Sequence, residues 1–231
     1  MTRRAAVQGL AWTAALLGYM APAVSYSAEL ACHQAGIVVT GDAAQDLPLA
    51  CAGVRDALAY LEPAGLTLEH GPAIRLVDQL PAGSDKHALG RYDPRSSSVE
   101  LLDYQAAVSA SECGPRAFKI PMSRALWQSY VAHEVAHATV RAHDVSRKLT
   151  VAQYEYVAAV VQLGTLPDAI RGEILRNYDE FPAFGDTSEI SDLYYFMAPC
   201  AFAVKAYRHY LKPSNGPAFI SKLLLAAPRR P

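Results

Sequence analysis

Apolar residues recur with a period of two in short runs through the first half of the chain, and with a helical period through the second. Gly36-Ile37-Val38-Val39-Thr40 predicts a strand. Leu49 to Leu61 predicts an amphipathic helix with Cys51, Val54, Leu58 and Leu61 on one face, ended by Pro63 and Gly65. Ala73 to Val77 predicts a second strand, stopped by Pro81 and Gly83. Leu89 to Asp93 predicts a third. Asp93-Pro94-Arg95-Ser96 is a turn that returns the chain as a fourth strand, Ser98 to Leu102. Residues 111–121, with Gly114, Pro115 and Pro121, read as a connector.

From there the pattern is helical. Ser123 is a good N-cap for a helix through Leu126, Tyr130, Val131, His137 and Ala138 to about Ala142. Thr150 and Gln153 form a capping box for a second helix, which ends at Gly164. That helix is apolar nearly all round, which predicts burial. Glu155 is the one charge in its body, and a buried carboxylate needs a partner. Pro167 opens a helix through Ile170, Ile174 and Leu175. Residues 177–187 are a loop, 190–211 are helical with a break near Pro199, and Gly216-Pro217 starts a last helix through Leu225. Residues 228–231 are expected to fray. The fold class is α+β: a small N-terminal mixed sheet with an edge hairpin, packed on the helix after Ser123, and a mainly helical C-terminal half.

Composition adds a location. A formal charge of -1 gives no basic surface for nucleic acid, and no repeat or low-complexity tract is present. Arg3 and Arg4 precede a stretch without charge from Ala5 to Ala28, with Leu10, Trp12, Leu16 and Leu17 at its centre. This reads as a signal peptide over residues 1–27, cleaved near 23–28, and leaves one domain over 28–231 in the periplasm or outside the cell. An uncleaved anchor is the alternative, and the arginine pair is compatible with a twin-arginine route, although only alanines follow it directly. Cys32, Cys51, Cys113 and Cys200 form an even set, which in an exported chain predicts two disulfides. Proximity favours Cys32–Cys51, leaving Cys113–Cys200. No Cys-x-x-Cys occurs.

The candidate chemistry is His133-Glu134-Val135-Ala136-His137. Histidines four apart on a helix lie about 40° from each other around the axis, so both imidazoles can reach one metal ion. Glu134 falls beside that ion, where a carboxylate can take a proton from water. A catalytic zinc takes three protein ligands. Glu155, eighteen residues past His137, is the favoured third, because the second helix can fold back against the first. His143 competes, and Asp168 and Asp179 are further candidates.

His133-Glu134-x-x-His137 followed by Glu155-Tyr156-Val157-Ala158 resembles the gluzincin metallopeptidases, over about residues 89–163. It also looks like the small exported bacterial families related to them. The resemblance implies a zincin-like fold, one zinc ion held by His133, His137 and Glu155, Glu134 as general base, and a peptide or protein substrate lying along the 89–103 hairpin. Gluzincins often carry an acid one turn beyond the glutamate to orient a histidine. Ala159 stands there, so that support must come from elsewhere. The spacing to His143 is similar to the metzincins, and Met197 could pass for their methionine turn. However, Val140 stands where they place a glycine, and a β-branched residue resists the left-handed backbone needed there. If the helix continues, His143 lies about 240° round from His137.

Tyr178, Tyr194, Tyr195 and His209 are candidates to stabilise an oxyanion. A zinc-binding relative without activity, and an envelope interaction protein, are the alternatives to a secreted metallopeptidase. The loop at 177–189 is placed to border a cleft, and nothing in the chain names a substrate.

Overall fold

The computed structural model describes residues 27–84, 88–113, 117–144 and 148–225. The expected signal peptide therefore lies outside the described residues, save Ser27. Five strands form one mixed sheet: β1 (Ala28–Ala31), β2 (Val38–Gly41), β3 (Ala73–Val77), β4 (Gly90–Asp93) and β5 (Ser98–Leu102). Their order is β1-β2-β3-β5-β4. The two central pairings, β2–β3 and β3–β5, are parallel, and both edge strands are antiparallel to their neighbours. β1 is an addition to the sequence reading, since Ala-Glu-Leu-Ala carries little strand propensity.

Side chains alternate across the sheet. Val39, Ile74, Leu76, Val99 and Leu101 are buried on one face, with Ile74 opposite Val99 and Leu76 opposite Leu101. The other face carries Arg75, paired with Glu100 at 2.7 Å. One layer covers the buried face. That layer is α1 (Leu47–Leu61) and α3 (Arg124–His143). They approach closely at Gly53, where a Cβ would stand 2.7 Å from the Gln128 carbonyl oxygen and 2.8 Å from Val131 Cβ. A side chain at 53 would push the motif helix off its seat. Trp127 anchors α3 to the sheet: it is fully buried and its Nε1 donates to the Leu102 carbonyl at 2.8 Å. Truncating a buried tryptophan costs about 3–5 kcal/mol.

Between hairpin and motif helix lies α2 (Tyr104–Cys113), where the sequence reading placed no helix and began its connector at 111. Buried Asp46 ties it down, accepting from the Tyr104 N–H at 3.1 Å and from Arg124 at 2.9 Å. Behind α3 packs α4 (Val151–Gly164), and α7 (Pro199–Tyr210) covers α4. The capping box at Thr150 is formed in both directions. α5 (Asp168–Asn177), α6 (Asp192–Met197) and α8 (Gly216–Leu225) complete the helical half. The break at Pro199 is real: Ala198 separates α6 from α7.

Cys32 and Cys51 are bridged, tying the end of β1 to α1. Closing a loop of that length stabilises by about 3 kcal/mol. Cys200 carries a free thiol, so the expected Cys113–Cys200 bridge is not formed. Cys200 sits on the first turn of α7 and its thiol meets the Tyr178 hydroxyl. The Cys113 side chain lies outside the described residues. No described helix is long and apolar enough to cross a membrane.

Candidate metal centre

α3 and α4 run antiparallel, and their facing sides carry the polar residues of an otherwise apolar interface. His133 and His137 come from α3, and Glu155 and Gln162 from α4. His133 Nε2 lies 3.0 Å from His137 Nε2 and 3.5 Å from Glu155 Oε2. His137 Nε2 lies 3.4 Å from Glu155 Oε1. Three donors on a tetrahedral ion, each about 2.0–2.2 Å from it, stand about 3.3 Å apart. The observed separations are close to that, with each histidine facing a different Glu155 oxygen, and one donor atom from each of the three lies within 4.8 Å of the others, so these residues can hold a metal ion.

Their support is specific. His133 Nδ1 lies 3.1 Å from Gln162 Oε1. An amide oxygen can only accept, so Nδ1 donates to it and Nε2 is the nitrogen turned to the triangle. Gln162 thus fills the orienting place that Ala159 leaves empty. It sits seven residues beyond Glu155, two turns along the same face. On the other side, the Tyr195 hydroxyl donates to the Glu155 carboxylate. α6 brings it there: Asp192 accepts from the Ala152 N–H at 2.7 Å, docking α6 on the first turn of α4.

The electrostatics divide the acids. Burial pushes the Glu155 carboxyl up, but His137, His133 and Tyr195 outweigh it and hold the pKa at about 2. Burial drives His137 down to about 4, and neighbouring His133 adds to the shift against Glu155. Burial also disfavours the charged form of His133, yet Glu155, Glu134 and Gln162 raise it overall. Glu134 is pushed up to about 7, first by burial and then by Glu155. The His133 ring and the Tyr92 N–H oppose the rise. Edge strand β4 lies against Glu134 at Gly90. A Cβ there would stand 2.9 Å from Glu134 Oε1 and 2.6 Å from Leu101 Cδ1, so glycine lets strand and carboxylate meet.

A family model matches residues 37–227, described as a family of unknown function, DUF6639. The chain belongs to DUF6639. No curated protein and no solved structure matches it. The stretch matched to DUF6639 runs from β2 through α8 and includes every group of the triangle.

The other candidates lie elsewhere. α3 continues straight through Val140, and His143 turns away to the segment after α1, where its Nε2 is 2.8 Å from the Thr67 carbonyl oxygen. Asp168 pairs with Arg171, and Asp179 faces Arg208 from an exposed position. Met197 is 76% exposed on α6. Tyr178 engages Cys200, Tyr194 packs on Phe184, and His209 pairs with the Tyr156 hydroxyl at 2.8 Å. Of the four oxyanion candidates, Tyr195 alone has a contact with the triangle. Gln162 was the missed residue. Its signal was present: one unexplained amide in an apolar helix, in phase with Glu155.

Proposed function

We propose that this protein is an exported zinc metallopeptidase with a zincin-like fold. The observation that carries the reading is the donor triangle of His133, His137 and Glu155 with a buried carboxylate, Glu134, beside it under an edge strand. Two imidazoles and one carboxylate form a donor set suited to catalytic zinc, with a fourth position left for water or substrate. The Cys32–Cys51 bridge supports an oxidising compartment.

Bound there, zinc supplies Lewis acidity, which polarises a carbonyl and lets a water lose its proton near neutrality. The chain's own residues do the rest. Glu134 takes the proton of the attacking water as the oxygen bonds to the scissile carbonyl carbon. It then gives that proton to the nitrogen as the C–N bond breaks. A carboxyl with a pKa near 7 serves both halves of that task. β4 is the edge strand of the sheet, and a peptide in extended form adds beside it, next to the Tyr92 N–H that Glu134 holds. Tyr195, whose hydroxyl bonds Glu155, is the candidate donor for the oxyanion.

The test is elemental analysis of the full chain purified without chelator, with hydrolysis of unfolded protein substrates measured on the same sample. One zinc per chain and cleavage that chelator abolishes are expected. Zinc without cleavage of any peptide would leave a binding site and remove the peptidase. Absence of stoichiometric metal would remove both.

A further inference from the structure

The face of α3 that carries the histidines runs on into a groove of about 430 Å³. Leu68 and His70 wall it on one side, Tyr92 and Ser97 of the β4–β5 hairpin on another, and Ala138 and Arg141 form its floor. Its link to the site is Tyr92, which lines the groove and whose N–H meets Glu134. Arg141 marks its far part. Four residues past His137, it shares that residue's face, about 6 Å farther along the helix.

The guanidinium is held through Tyr154, and Asp144 is the acid whose charge it feels. Arg141 Nη1 donates to the Tyr154 hydroxyl at 3.4 Å, and Tyr154 donates in turn to Asp144 at 2.8 Å. The Tyr154 ring lies 6.5 Å from the His137 ring, so this chain of contacts ties Arg141 to the metal-binding face. Asp144 also lines the groove, but its oxygens are turned to Tyr154 and to the backbone N–H groups of Lys148 and Leu149, at 3.2 and 3.3 Å. Among the described residues no carboxylate forms an ion pair with Arg141. His143, at the end of the same helix, is turned to the Thr67 backbone.

A planar fork of donors, fixed at one end and open to a groove, is complementary to a carboxylate. We propose that Arg141 receives a carboxylate of the peptide substrate in this groove. An extended peptide advances about 3.3–3.6 Å per residue, so that carboxylate falls within about two residues of the scissile bond. Two sources present the same chemistry, a free C-terminus and an Asp or Glu side chain. The inference takes its ligand class from the peptidase reading, yet binding at Arg141 needs no catalysis.

The experiment is an NMR titration of the ¹⁵N-labelled full chain, zinc-loaded and metal-free, following the arginine Nε–H signals. The probes are acetyl-Ala-Ala-Ala as free acid and as amide, and acetyl-Ala-Glu-Ala amide against acetyl-Ala-Gln-Ala amide. The Arg141 signal is expected to move with an acidic probe and not with its neutral partner, in both metal states. R141Q should weaken binding of the acidic probe at least about ten-fold and leave the neutral ones unchanged. Response to the free acid alone assigns a C-terminal carboxylate, and response to the glutamyl probe alone assigns a side chain. Equal response to acidic and neutral probes, acid binding that survives R141Q, or binding seen only with zinc present would overturn the proposal. If R141Q does not fold, the acid-against-amide comparison on the unaltered chain decides. Failure of the peptidase reading shows separately, as absence of product while the Arg141 shift remains.

Discussion

On the β4 side of α3, Glu134 meets one backbone N–H and an apolar wall, and its pKa rises to about 7. On the α4 side, Glu155 meets two imidazoles and a tyrosine hydroxyl, and its pKa falls to about 2. Burial pushes both carboxyls the same way. The partners decide the sign, and with it the role. An acid that exchanges its proton near neutrality suits proton transfer, whereas one ionised at all working pH values suits a cation. The difference is in the partners: Glu155 hydrogen-bonds His133, whereas Glu134 acts on that ring through its charge.

The largest expected effect lies on the α4 side. Glu155→Gln removes the only anionic donor and should abolish stoichiometric zinc, and activity with it, as read by elemental analysis and peptide hydrolysis. Glu134→Gln should keep the zinc and slow hydrolysis by about 10²–10⁴-fold. Equal loss of metal in both variants would erase the distinction between the two sides. Gln162→Leu tests the support of His133, and a competition titration with a chelating dye should show zinc bound about 10–100-fold more weakly. Unchanged affinity would mean that the amide does not set the tautomer.

The smallest effect is in the metal-free chain, read as stability to denaturant against pH with chelator present. Glu155, lowered from 4.5 to about 2, and His137, lowered from 6.5 to about 4, both take up protons more readily when unfolded. Their contribution is present above the ordinary values and is lost as pH falls through the folded ones. Glu134, raised from 4.5 to about 7, works in reverse: its contribution is present below 4.5 and lost as pH rises through 7. His133 is raised as well, and its share is lost above its ordinary value of 6.5. Glu134 and His137 therefore oppose each other between about 4.5 and 6.5, and stability should drop steeply only below about 4.5. In Glu134→Gln the decline should begin near pH 6.5. A profile identical to that of the unaltered chain would break the assignment of the raised carboxyl to Glu134.

Much of the site was legible because its signals are local. His133 and His137 share a face by helical spacing alone, Ser123 and the Thr150–Gln153 box start their helices where hydrogen-bonding chemistry says they should, and Glu155 stood out as a lone charge in an apolar helix. The regions read poorly lack such marks. β1 is four residues of weak propensity that become a strand because β2 offers an unpaired edge, and α2 is held by Asp46, 58 residues away from the N–H it binds. Cys200 was paired by elimination, a rule that carries no distances.

What the sequence determined by itself was the identity of the donors, the helices that carry them, and the lack of a glycine at Val140 that leaves His143 on the far side. Periodicity and capping act within a few residues and can be read along a line. Tertiary structure alone decided that Gln162 rather than an acid orients His133, that Gly90 admits the edge strand to Glu134, and that Arg141 opens into a groove. Each of these is a contact between elements. Its distance and environment arise only once α3, α4 and the hairpin have packed, because a buried group's chemistry is set by the neighbours that replace its water.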